Sequence, residues 1–233
     1  MTDLRQTAVS DDPLDWRPQT IQRSRHVPQI VDPIIEPLWS GTRVLAHYRD
    51  AEAEQEWGSV EVLDELGEDA TPLAPLALDH LRRSVLAADA VIDGIVTVQA
   101  TVGGEGTAVV VTAKAQPIRR LFIGGRDADI QYEGPKGPRR EGEPAFVALD
   151  LLKLDGQTLF DVPLLERKRL LEGVIEQSEL VRTSPWVRPP FRQWFSSWRS
   201  AGFRGLIIKS ANSRYSPGAE TAQWALVERM PRS

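Results

Sequence analysis

The chain has 233 residues, 41% of them hydrophobic and 26% charged, with a formal net charge of -5. That is enough chain for one large domain or two small ones, and it is the composition of a soluble folded protein, not of a disordered or membrane one. Cysteine is absent and histidine occurs only at His26, His47 and His80, which excludes disulfides, thiol nucleophiles and Cys-type zinc sites and leaves no histidine pair at metal spacing.

The start, Met1-Thr2-Asp3-Leu4-Arg5, has no apolar signal core and no apolar run approaches bilayer length, so a cytoplasmic location without membrane contact is expected. A dedicated nucleic-acid binder is usually basic, so DNA binding by this acidic chain requires a local patch. Lysine is scarce, with five in the chain: Lys114, Lys136, Lys153, Lys168 and Lys209.

Residues 1–32 are polar, aperiodic and interrupted by Pro13, Pro18 and Pro28, which reads as an extended arm packed on the domain or a mobile leader. Residues 43–48 and 59–63 alternate like the strands of a hairpin. Pro72 opens a predicted helix with Leu78, Leu81 and Val85 on one face. Residues 90–98 and 107–112 read as strands joined by the Gly103-Gly104-Glu105-Gly106 turn. No helix follows that turn, so it is not a phosphate loop. Residues 133–144, rich in Gly, Pro and Arg, form a predicted exposed loop, and 146–152 a buried strand. Leu164, Leu171, Val174 and Ile175 mark a helix, and residues 191–201 another that stops at Gly202. Residues 205–209 and 224–227 close the chain as strands. The irregular interleaving of helices and strands argues for an antiparallel-rich α+β domain.

Several of these segments, in order, resemble the adenylation domain of ATP-dependent DNA ligases, most closely the bacterial end-joining type. Glu36-Pro37-Leu38-Trp39-Ser40-Gly41-Thr42-Arg43 resembles the E-x-K-x-D-G-x-R nucleophile motif. Val91-Ile92-Asp93-Gly94-Ile95-Val96 resembles the hydrophobic D-G-E strand, and residues 146–156 resemble F-D-L-L-Y-L-D-G. Pro163-Leu164-Leu165-Glu166-Arg167-Lys168 fits the helix that follows it. Gly205-Leu206-Ile207-Ile208-Lys209, Tyr215-Ser216-Pro217-Gly218 and Trp224 are similar to E-G-h-h-x-K, Y-x-P-G and W-x-K-x-K. The resemblance implies a ligase-like nucleotidyltransferase domain over residues 33–229, with two antiparallel sheets flanked by helices and a nucleotide cleft between them. In the family an oligonucleotide-binding barrel follows. Nine residues remain after Trp224, so no barrel is expected in this chain.

The family's chemistry is attack of a lysine amine on the α-phosphate of ATP, with magnesium held by carboxylates and the phosphates neutralised by further lysines. At the matching positions this sequence has Leu38 for the nucleophilic Lys, Ser40 for Asp, Ile95 for the metal-binding Glu and Arg204 for the Glu of E-G-h-h-x-K. Leu226 and Glu228 replace the two terminal lysines, and Leu149 replaces an aromatic. The resemblance therefore implies a scaffold with no catalytic residue, no metal ligand and no cofactor. Glu36, Arg43 and Lys209 remain as vestigial cofactor-binding positions. The four aliphatics Leu38, Ile95, Leu149 and Leu226 are expected to repack the cleft as core.

For Lys209 a phosphate contact and an ion pair are both open, and for Arg43 a nucleotide contact and a strand-end charge. Asp127 and Asp129 read as a solvated turn. Trp186, Phe191, Trp194, Phe195 and Trp198, interleaved with arginines, form either a core face or a surface for nucleic acid or a partner, with Arg188, Arg192 and Arg199 as its cations. Two functions follow. One is a non-catalytic module or subunit linked to DNA repair, with a repair-protein partner and weak DNA binding. The other is an active ligase or nucleotidyltransferase, using ATP and magnesium with Lys209 as nucleophile.

Overall fold

The computed structural model describes residues 9–23, 29–52, 56–99 and 142–228. The turn at 103–106, the strand at 107–112, Asp127, Asp129 and most of the loop at 133–144 lie outside them.

Among the described residues ten strands form two sheets. The larger is built on β3 (Thr42–Arg49), β4 (Ser59–Asp64), β5 (Asp89–Thr97) and β6 (Ala145–Leu154), with the short β7 (Gln157–Thr158), in the order β4-β3-β5-β6-β7. The smaller has the order β1-β10-β9-β2, from β1 (Thr20–Arg23), β10 (Glu220–Val227), β9 (Leu206–Ser210) and β2 (Pro33–Pro37). Most ladders are antiparallel, as expected. The exceptions are at the margins: β1 runs parallel to β10, and β8 (Val181–Thr183) parallel to β6. The fold is thus α+β with two sheets flanked by helices.

The strands form where β-branched and aliphatic residues alternate or run together, as in residues 90–96, buried throughout. Gly94 is needed there because a Cβ would meet the Phe146 ring at 2.4 Å. Gly41, with φ at 153°, turns the chain from β2 into β3, and a Cβ there would strike the Val96 carbonyl at 2.2 Å.

Helix α1 spans Pro75–Ser84, α2 Leu164–Val174 and α3 Phe191–Ser200. Pro72 lies in a separate 3-10 turn, Thr71–Leu73, so it does not open α1. Ala74 breaks the path at φ -150°, and Pro75, with its φ preset, starts the helix. Val85 lies just past α1 and donates its N–H to Leu81. Gly202, at φ 90°, follows α3 as expected.

One large apolar cluster packs α1 on the larger sheet through Leu78 and Leu81, and takes in Trp39, Trp198 and Phe203 beside the smaller sheet. A second lies between the sheets. It unites Ile34 and Trp224 of the smaller with Leu45, Val91 and Leu152 of the larger, and adds Leu164, Tyr215 and Trp16. Residues 9–23 are thus woven into the fold. Trp16 is 4% exposed and packs edge-on against Phe160, and β1 extends the smaller sheet.

Candidate functional site

Beside the inter-sheet cluster lies a layer of buried charge. Glu36 of β2 and Lys209 of β9 belong to the smaller sheet, and Arg43, Asp93 and Asp150 to β3, β5 and β6 of the larger. Helix α2 supplies Arg167 and Lys168 at i+3 and i+4 from Leu164, positions that continue its core-facing stripe toward Leu171. Except for Arg43, which is partly buried, every one of these side chains is almost wholly excluded from solvent.

Each acid has its base. Glu36 Oε1 meets Lys168 Nζ at 2.7 Å, and Glu36 Oε2 accepts from Lys209 Nζ at 3.0 Å. Arg43 grips Asp93 with two bonds of 2.5 and 2.6 Å, and Arg167 grips Asp150 with two of 2.9 and 2.7 Å. The Tyr215 hydroxyl donates to Asp93 Oδ2 at 2.7 Å and accepts from the Gln19 N–H at 2.8 Å. Arg167 also donates to the carbonyls of Val162 and Ser213. Lys209 Nζ sits 4.2 Å from the centre of the Trp224 ring, whose N–H donates to Ser213.

Burial pushes the Glu36 carboxyl toward neutrality, but the two lysines together outweigh it and hold the group below the usual carboxylate range. Asp150 behaves alike: burial raises it, and Arg167 brings it below its ordinary value. Burial lowers Lys209 below the usual ammonium range despite Glu36, and the nearby Lys168 charge adds to the effect. Burial and the Asp93 charge hold Tyr215 well above the ordinary phenol value, so it stays a donor.

The aliphatic positions divide. Ile95 and Leu149 are buried in the large cluster. Leu149 lies unpaired where the β5–β6 register shifts, a bulge that frees its side chain from the ladder's alternation. Leu38 and Leu226 are half-buried, so two of the four aliphatics expected to repack the cleft stay partly open to solvent. Leu38 extends β2 by donating its N–H to the Gly205 carbonyl at 3.0 Å, and Leu226 pairs with Ile207.

The structure does not gather the arginine surface into one site. Arg188 pairs with Asp32 and donates to the Pro33 carbonyl, clamping the start of β2. Arg192 and Arg199 are exposed on α3, and Arg199 donates to the Arg204 carbonyl. On the same helix Trp198 is buried while Trp194 and Phe195 pack partly buried against the core, the core-face arrangement.

Sequence reasoning did not single out Arg167, Lys168 or Asp150 as site residues. Their signal was present: two cations inside the apolar stripe of α2, and an acid inside the apolar run 145–152 of β6, each demand a buried partner.

Comparison with known proteins identifies the family and the fold. The family described as "ATP dependent DNA ligase domain" matches residues 31–227. A DNA ligase of Pyrobaculum calidifontis is 29% identical over 206 residues, covering 86% of this chain and 31% of that protein. The multifunctional non-homologous end joining protein LigD of Mycobacterium bovis is 30% identical over 191 residues, covering 81% of this chain and 20% of its own. The chain thus spans less than a third of either relative. The ligase domain of M. tuberculosis LigD superposes with a TM-score of 0.61 at 22% identity, covering 93% of this chain and 60% of that one. A mycobacterial DNA ligase D complexed with ATP and MES gives 0.62 at 21%, covering 94% and 62%.

Proposed function

This chain belongs to the ATP-dependent DNA ligase domain family, and on that premise we propose that it is an adenylation-domain scaffold without adenylation chemistry, a non-catalytic module linked to DNA repair. The observation that carries this reading is the disposition of lysine. Leu38 stands at the nucleophile position, and a hydrocarbon has no lone pair with which to attack phosphorus. Among the described residues the lysines are Lys153, Lys168 and Lys209. The last two share Glu36, and Lys153 is paired with Asp89.

ATP and magnesium do not fit the groups present. Magnesium would need carboxylate oxygens, yet Glu36, Asp93 and Asp150 are committed to ammonium or guanidinium partners. Phosphates would meet the half-buried Leu38 and Leu226 where the family has lysine, and would lose hydration without gaining donors. The ion pairs give Glu36, Arg43 and Lys209 a structural reason to persist, since they fix the inter-sheet layer. The competing reading, an active ligase using Lys209 as nucleophile, requires that amine to leave Glu36 and the Trp224 ring before it meets a phosphate.

DNA contact, on this reading, is weak and salt-sensitive and runs through exposed arginines such as Arg192 and Arg199. The test is thermal unfolding with millimolar ATP and magnesium. An unchanged midpoint is expected. A ligand at about a hundredfold its Kd adds roughly 2.7 kcal/mol, so a rise of several degrees would contradict the reading.

A further inference from the structure

Strand β4 is the edge of the larger sheet, and only part of its outer side is closed. The Val62 carbonyl accepts from the Ala70 N–H at 2.8 Å, and the Asp64 N–H donates to the Glu68 carbonyl at 3.0 Å, so the even-numbered residues of β4 direct their backbone groups away from β3. Val60 has the same parity and pairs with Tyr48, and no described residue makes a hydrogen bond to its outward N–H or C=O. A cavity of about 660 Å³ opens at this point between β4 and α1, lined by Trp57, Val60, Pro75, Leu78, Asp79 and Arg82. Trp57 is 43% exposed at its rim, with the Arg83 guanidinium 5.4 Å from its ring centre.

Charge chooses the occupant. Residues 56–74 carry six acids, Glu56, Glu61, Asp64, Glu65, Glu68 and Asp69, and no Lys, Arg or His. All but Asp64 are exposed. Arg82 and Arg83, across the cavity on α1, are both tied to Asp79. We propose that this edge docks an extended, basic segment of a partner protein, which adds as a strand beside Val60 and places one aromatic or long aliphatic side chain in the cavity against Trp57 and Leu78. Backbone pairing to Val60 supplies the register, the cavity supplies apolar burial, and alternate Lys or Arg side chains meet the acids. The cavity shares no lining residue with the buried ion pairs between the sheets, so nucleotide binding or adenylation there would leave this proposal untouched.

The test uses the full chain, labelled with 15N, and a peptide of roughly twelve residues that alternates Lys with Val around one central Phe. A control peptide carries Glu for every Lys. The basic peptide is expected to shift the Val60 and Glu61 amides and the Trp57 indole, with a Kd below about 0.1 mM. Trp57→Ala, and Glu61→Lys with Glu65→Lys, change exposed residues and should each weaken binding about tenfold or more. Three results would overturn the proposal: no saturable shift up to about 1 mM peptide, equal binding of the acidic control, or self-association of the chain that occupies Val60 and resists the basic peptide.

Discussion

Glu36 and Lys168 meet at 2.7 Å, both almost fully buried, one from an edge strand of the smaller sheet and the other from helix α2. The residue before, Arg167, turns to Asp150 on the larger sheet. Two consecutive cations on one helix therefore tie the two sheets together. Glu36 carries a second cation, Lys209, and this makes the network asymmetric. Glu36→Ala leaves two buried ammonium groups without their shared anion and should cost about 3–5 kcal/mol. Lys168→Met keeps the Glu36–Lys209 pair and replaces the stem volume, so about 1 kcal/mol or less is expected. Urea unfolding of both variants checks the order, and equal losses would show that Glu36 is not the hub.

Residues 9–23 should be indispensable to stability. Trp16 fills the inter-sheet cluster, packs on Phe160 at 4.5 Å and donates its N–H to the Ser10 carbonyl at 2.8 Å. Trp16→Ala should destabilise by about 3–5 kcal/mol. A loss below 1 kcal/mol by urea unfolding would mean that the segment lies on the surface in solution.

His47 predicts a pH dependence. Burial, the largest influence, with the neighbouring charges of Arg17, Arg49 and Lys153, depresses its pKa from 6.5 to about 4, while Asp12 opposes. The unfolded chain then takes up the proton first, so stability is complete above the unfolded value and falls as the pH drops from about 6.5 toward 4. Between pH 7 and 5 the loss from this residue should be at most about 2 kcal/mol. His47→Gln should flatten that part of the profile. An unchanged slope in the variant would assign it to the carboxylates.

Restoring the nucleophile alone should not restore chemistry. On the proposed reading, the new amine of Leu38→Lys meets Ile95 and Leu226 where the resemblance implies a metal-binding Glu and a phosphate-binding Lys, and Glu36 already serves two lysines. Intact mass after incubation with ATP and magnesium should equal that of the unmodified variant. An AMP adduct would show that the remaining polar groups suffice.

The sequence carried the strands β3, β4, β5, β6 and β9 and the helices α2 and α3 plainly, because apolar periodicity and terminating glycines or prolines are local signals. Strands β1, β2 and β8 were harder. β2 begins and ends with proline, and β1 is four residues with three exposed, so only their long-range pairing makes them strands. The site divided on the same line. Glu36, Arg43 and Lys209 stood out only through the resemblance to the ligase motifs. That Glu36 would bind two lysines at once depends on α2, packed on β6, reaching the smaller sheet with Lys168, which no local pattern encodes.

The proposed function requires that this ligase-family fold perform no lysine–AMP chemistry. It is tested most directly by incubating the wild-type chain with α-labelled ATP and magnesium and resolving it under denaturing conditions. No label on the protein is expected, with or without nicked duplex DNA. Stable label that pyrophosphate removes would contradict it, and label lost in Lys209→Met but kept in Lys153→Met would name Lys209 as the nucleophile.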